Sequence, residues 1–269
     1  MKLSCTNIMV PGNSLEEKAR KLKQWGYDGI AIFQEYKDWN ENRLKEIKEL
    51  GPKTGITICE FVFIGPLYGH LMDKNLIIRQ KAREMYKHAI EVCNRLGAVT
   101  EMEYDCGAQD PLPLFEPYKK MSPEDEIDFI NLIKEFSEVT NGGDSKILIE
   151  SINRYETKYL TLLSDCKEIL ERANQPNTGI LADFFHLSIE ESNIAESIRS
   201  VKGLIKHVHL GDSNRLLPGK GHTDWDSCLR ALVDAEFNGY MNLECAIIEN
   251  PDIDLLKTAD YLHKILNRI

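Results

Sequence analysis

The sequence predicts a single (β/α)8 barrel, and three observations carry that expectation. Eight short apolar runs recur along the chain, separated by longer segments whose apolar residues fall at helical spacing. Strands alternating with helices imply parallel pairing through right-handed crossovers, and eight such units fit a closed barrel better than an open sheet. The first run leads into Pro11-Gly12-Asn13-Ser14 and not into a G-x-G-x-x-G turn, so the phosphate cradle of a doubly wound nucleotide-binding sheet is missing.

The expected strands are Leu3 to Met9, Gly29 to Phe33, Ile56 to Phe63, Ala98 to Tyr104, Ile147 to Glu150, Gly179 to Asp183, Ile205 to Leu210 and Tyr240 to Glu244. Between the first two, Leu15, Ala19, Leu22 and Trp25 follow Ser14, whose hydroxyl suits a helix N-cap. Before the fifth, Ser122-Pro123-Glu124-Asp125 opens a helix with proline at its first position and acids in its first turn, and Ile127, Phe129, Ile130, Ile133 and Phe136 supply its apolar face. The longest connection, Asp105 to Lys120, carries Pro111, Pro113 and Pro117, with Pro123 closing it, and reads as an ordered loop over the barrel mouth and a candidate lid. No linker, low-complexity tract or internal repeat divides the chain, so residues 1–269 are read as one domain.

Composition narrows the function. With 33 Lys and Arg against 43 Asp and Glu, a net charge of −10 opposes a phosphate backbone or an anionic membrane as partner. No run reaches the ~18 apolar residues of a membrane helix, and no signal-peptide core follows Met1. Seven cysteines without a C-x-x-C pair fit neither a disulfide framework nor a zinc knuckle. The expectation is a cytoplasmic protein with reduced thiols that acts on a small molecule and has room for homo-oligomerisation.

Barrel active sites gather the residues that end the strands. Here strand five ends in Glu150, strand six in Asp183, strand seven in His207-Val208-His209 and strand eight in Glu244. Three carboxylates at one mouth repel one another unless a cation lies between them. Three hard oxygens and one imidazole suit Mn²⁺ first, with Co²⁺ or Mg²⁺ as alternatives. His207 and His209 alternate to the same face. His209, nearer the strand end, is the preferred ligand, and His207 is expected to pack or hydrogen-bond deeper. His186 is a candidate site residue three positions after Asp183, whereas His88 and His263 fall in helices and are expected to be solvated. The role of His70, in the loop after strand three, stays open. Glu60 and Glu103, also at strand ends, could contact a substrate or pair with Arg and Lys, and the pairing is the favoured reading.

These residues carry a resemblance. Glu150-Ser151-Ile152-Asn153-Arg154-Tyr155-Glu156, Asp183-Phe184-Phe185-His186, His209 followed by Asn214-Arg215-Leu216-Leu217-Pro218-Gly219-Lys220-Gly221, and Glu244 together resemble the xylose-isomerase-like sugar isomerases and epimerases. Within that superfamily the pattern is most similar to the ketose 3-epimerases of the D-tagatose and D-psicose type, over about residues 140 to 250. The resemblance implies one divalent ion held by Glu150, Asp183, His209 and Glu244, with Glu150 and Glu244 as the catalytic acid/bases. It also implies that Glu156, His186 and Arg215 hold the sugar. Phe184 and Cys245-Ala246 depart from the family's usual Thr and Ser-Phe or Pro-Phe, but none of these is a ligand position. An inosose dehydratase or hydroxypyruvate isomerase is the alternative. An apurinic endonuclease needs more histidines and a less acidic chain, and a non-catalytic barrel does not explain four ligand positions.

Overall fold

In the computed structural model, residues 1–115, 121–140 and 145–269 are described. Every expected run forms a strand: β1 (Lys2–Thr6), β2 (Gly29–Glu35), β3 (Thr57–Ile64), β4 (Thr100–Met102), β5 (Ile147–Glu150), β6 (Thr178–Asp183), β7 (Ile205–Leu210) and β8 (Tyr240–Leu243). Their order around the sheet is β3-β2-β1-β8-β7-β6-β5-β4, all parallel. The ring closes between β3 and β4, where Phe61 N–H donates to Val99 O at 2.9 Å and Val99 N–H to Cys59 O at 3.1 Å.

Among the described residues the strands are joined by α1 (Leu15–Gln24), α2 (Glu41–Thr54), α3 (Leu76–Leu96), α4 (Pro123–Val139), α5 (Leu163–Ala173), α6 (Phe184–Glu190), α7 (Ile194–Ser200) and α8 (Trp225–Asp234), with α9 (Pro251–Leu266) last. The anticipated caps form: the Ser14 hydroxyl accepts from Glu17 N–H and the Ser122 hydroxyl from Asp125 N–H, each at 3.1 Å. No described helix is long and apolar enough to cross a membrane. The cysteines form no disulfide, and all except the half-buried Cys106 and Cys245 are buried.

Strand alternation decides what enters the lumen. On β3, Phe61 and Phe63 face outward, packing on Trp39 with ring centroids 5.2 Å apart. Glu60, one residue away, therefore turns inward and is fully buried. His88 departs from its expected solvated state, because this cluster claims it: it packs 5.3 Å from Phe63 and accepts from Trp39 Nε1 at 3.2 Å. Outside the barrel, strand and helix faces meet through side chains such as Phe129, Phe136 and Leu163, all fully buried. Each such burial contributes about 1.5–3 kcal/mol. The interior toward the mouth is polar instead, with Thr6, Glu60, Glu101, Glu103, His207, His209 and Asn242 all buried.

Candidate active site

Four consecutive strands, β5 to β8, bring their ends together. Register sets Asp183 opposite His209. Asp183 also caps α6, its Oδ1 accepting from Phe185 N–H at 2.7 Å, which fixes the carboxylate and leaves Oδ2 facing the mouth. Glu244 follows β8, and its Oε2 lies 3.0 Å from His209 Nδ1. Asp183, His209 and Glu244 each offer one donor atom within 4.8 Å of the other two. Glu150 belongs to two overlapping groups of the same kind, one with Asp183 and His186 and one with Glu101 and His209.

The electrostatics are those of crowded carboxylates. Glu150 is pushed well up, first by burial and then by the neighbouring Glu103 and Asp183 carboxylates. Burial opposes charge on His209 and Glu244, yet the pair hold each other ionised: the imidazole is raised by Glu60 and Glu244, and Glu244 is lowered by His209 and Arg215. Among the described residues, Glu150 Oε1 and His209 Nδ1 have no hydrogen-bond partner, since the approach of Nδ1 to Glu244 lacks hydrogen-bond geometry. Orphaned donors facing one another amid three carboxylates fit a hard divalent ion.

Beside this cluster, Asn153 ties two of the anticipated sugar-binding residues together. Its Nδ2 donates to Glu156 Oε1 at 2.8 Å and lies 2.7 Å from His186 Nδ1, while its backbone N–H donates to the same nitrogen at 3.3 Å. Nδ1 thus faces two N–H groups, while Nε2 lies 3.3 Å from the guanidinium of Arg215, 3.7 Å from Glu150 and 3.8 Å from Asp183. Burial lowers the pKa of His186 and favours its neutral form.

Arg215 faces the same space. Its guanidinium lies 3.2 Å from Asp183 Oδ2, 3.4 Å from Glu244 Oε2 and 4.6 Å above the Phe185 ring. The ordinary alternative, a surface arginine paired with Asp212 or Asp224, is not what forms. Asp212 is instead the fully buried hub of the β7–α8 loop. Its two oxygens accept from Ser213 N–H, Thr223 N–H, Gly219 N–H and Trp225 Nε1 at 2.7 to 3.1 Å. Against burial, these bonds hold its pKa down to about 2, so the hub stays charged until pH falls through that value. Gly221 packs so close to the Asp212 carboxylate that a Cβ has no room. Arg215 adopts φ +58°, a left-handed conformation that a non-glycine residue takes at a cost, and its carbonyl accepts from Ala246 N–H at 2.8 Å. Arg215→Ala is therefore expected to lower kcat/KM at least tenfold, about 1.4 kcal/mol of transition-state binding. Wild-type kinetics on the best sugar found would return the residue to the surface.

Several expectations need correction. Glu60 pairs with neither Arg nor Lys: its carboxylate lies 3.2 Å from His209 Nε2 and 3.3 Å from His207 Nε2. Among the described residues Glu103 has no basic partner either, both its oxygens are buried without a hydrogen bond, and burial pushes its pKa up to about 7. Barrel closure turns these side chains inward, away from the Lys and Arg of the surface. Glu101, overlooked in the sequence, is buried and accepts from the Tyr68 hydroxyl at 2.5 Å. Its i, i+2 spacing from Glu103 on one strand is the signal that points both into the lumen. His70 turns away to Asp73 at 2.8 Å. Phe184 packs 5.1 Å from Trp225, which accounts for an aromatic residue there without a role in ligation. The candidate lid is described only as far as Phe115; residues 116–120 lie outside the described set. Its first part is stitched to the β5–α5 loop, with Gly107 N–H donating to Glu156 O at 2.9 Å and Gln109 N–H to Tyr155 O at 2.8 Å.

An eight-stranded parallel barrel with acids and a histidine gathered at the strand ends is the architecture of a barrel enzyme. The chain belongs to the xylose isomerase-like TIM barrel family, whose model matches residues 19–264. Among curated proteins it is 23% identical over 246 residues to the 3-dehydro-D-guloside 4-epimerase of Escherichia coli K12, covering 91% of this chain and 92% of that one. It is 25% identical over 231 residues to the D-psicose 3-epimerase of Agrobacterium fabrum, covering 85% and 77%. Of solved structures, a 3-keto-D-glucoside 4-epimerase from E. coli superposes with a TM-score of 0.86 at 23% identity, over 98% of this chain and 99% of that one. A D-psicose 3-epimerase from Clostridium cellulolyticum H10, solved with D-tagatose, superposes with a TM-score of 0.84 at 19% identity, over 99% of each chain. These structural likenesses establish the fold. The homologues are sugar epimerases, which places the chain among the isomerases.

Proposed function

We propose that the chain is a divalent-metal-dependent sugar epimerase that inverts the carbon beside a keto group, with C3 of a free ketose as the leading case. The observation that carries this is the position of Glu150 and Glu244 at the two outer ends of the β5–β8 arc, with Asp183 and His209 between them. Inversion beside a carbonyl requires removal of a proton from one face and its return to the other. Two carboxylates facing the substrate from different strands supply both groups.

Glu150, Asp183, His209 and Glu244 would hold the ion. When bound, Mn²⁺ or a similar hard cation supplies Lewis-acid stabilisation of charge developing on the substrate oxygens. One glutamate takes the proton beside the carbonyl as base, and the other returns one as acid to the opposite face. Arg215 presents a fixed positive charge to the enediolate oxygens, held by Asp183 and Glu244. His186 presents Nε2 to the sugar beside Arg215, and Glu156, oriented by Asn153, accepts from a hydroxyl.

The relatives' names support this chemistry, because a ketose 3-epimerase and a 3-dehydro-sugar 4-epimerase both invert a centre next to a ketone. The test is a screen of free ketoses and a 3-dehydro-hexoside with Mn²⁺ in deuterated solvent, read by NMR. Deuterium entering the carbon beside the keto group of one of them is the expected result, and it appears whichever product accumulates. Absence of exchange from every keto sugar by the metal-loaded protein would overturn the reading.

A further inference from the structure

We propose that Glu60 is a positioning residue for the metal centre, fixing through its hydrogen bonds with His209, and with His207 close on its other side, which nitrogen of His209 faces the ion. The inference rests on the metal reading above. It begins with topology: β3 and β7 are four strands apart in a ring of eight, so Glu60 and the two histidines meet across the lumen and not along neighbouring strands. All three side chains are buried to 1% exposure or less.

His209 has two ring nitrogens and two different neighbourhoods. Nε2 lies 3.2 Å from both oxygens of Glu60, whereas Nδ1 faces Glu244 without a hydrogen bond. An ionised carboxylate only accepts, so Nε2 keeps its hydrogen, and Nδ1 is the nitrogen that gives up its proton when a cation binds. His207 presents its own Nε2 to the same carboxylate at 3.3 Å. Its distance also makes Glu60, His207 and His209 a set able to hold an ion of their own. That arrangement would require His209 to bind cations through both nitrogens and so to lose both ring protons, which the acceptor-only alternative avoids. A carboxylate behind a ligating imidazole orients the ring and raises its basicity, and its loss commonly weakens metal binding 10–100-fold.

Glu60→Gln is the discriminating variant. An amide offers one acceptor and one donor, so one of the two imidazoles must meet an N–H where it had a carboxylate oxygen. Calorimetric titration with Mn²⁺ is expected to show one ion per chain in both proteins and a dissociation constant raised 10–100-fold in the variant. The visible spectrum of the Co²⁺ form is expected to shift, because the ligating ring has turned; a merely structural role would leave it unmoved. Affinity within threefold of wild type with an unchanged Co²⁺ spectrum would overturn the assignment. So would a wild type that takes up two ions and a variant that takes up one, since the cluster would then itself be a metal site. If Glu60→Gln does not fold, Glu60→Asp carries the same test by drawing the carboxylate back one methylene. At least threefold weaker binding with a shifted spectrum supports the assignment, and unchanged binding overturns it. A wild type that takes up no divalent ion at all removes the underlying metal reading as well, an outcome distinct from normal metal uptake by the Glu60 variants.

Discussion

Replacing Glu150 or Glu244 by Gln is expected to lower turnover by about 10²–10⁴-fold, the usual contribution of a general acid or base, with the fold intact. Gln keeps an oxygen toward the centre but cannot exchange a proton, so metal content measured alongside separates lost chemistry from a lost ion. The two variants are also expected to differ from each other. If each glutamate serves one face of the sugar, one variant still washes the proton out of one epimer, and the other variant out of its partner. Equal exchange from both epimers in either variant would contradict this division of faces.

Dialysis against a chelator is expected to abolish activity, and Mn²⁺ or Co²⁺ to restore it. Full activity in metal-free protein would remove the cation from the mechanism. Stability supplies a second readout that needs no substrate. The ion binds only where folding has assembled Glu150, Asp183, His209 and Glu244, so at a free concentration of one hundred times Kd it adds about 2.7 kcal/mol to folding. The melting temperature of the metal-free protein should therefore rise with added Mn²⁺ and level off as the site fills.

Much of this was legible in the sequence because barrel strands are local objects. A run such as Ile147 to Glu150 is apolar throughout and ends in a charge, and both facts are written in consecutive residues. Asp183 and His209 are similarly visible as ionisable residues at the close of buried strands. What could not be read was contact across the lumen. Glu60 and His209 are 149 positions apart, and only barrel closure brings them together. Glu60, placed near a strand end from sequence, sits in the middle of β3, and nothing short of the strand's facing reveals where its carboxylate points. Glu101 and Glu103 were within reach, since alternate acids on a short strand otherwise flanked by apolar residues must share one face. The part played by Asp212 was hidden for a different reason: its four donors come from a loop and a helix start spread over residues 213 to 225, with no periodicity to announce them.

The bonding of Asp212 has a consequence for how the barrel can change its chemistry. The shape of the β7–α8 loop is set by backbone N–H groups and one indole converging on that carboxylate, and the Arg215 side chain takes no part in the convergence. Support and reagent are thus separable within a dozen residues. Exchanging residue 215 alters what the loop shows to a substrate without unmaking the loop, whereas exchanging Asp212 dismantles the mount and disperses whatever it carries. Such a loop behaves as a socket: retuning for a differently shaped sugar can proceed at the presented position while the loop keeps its shape.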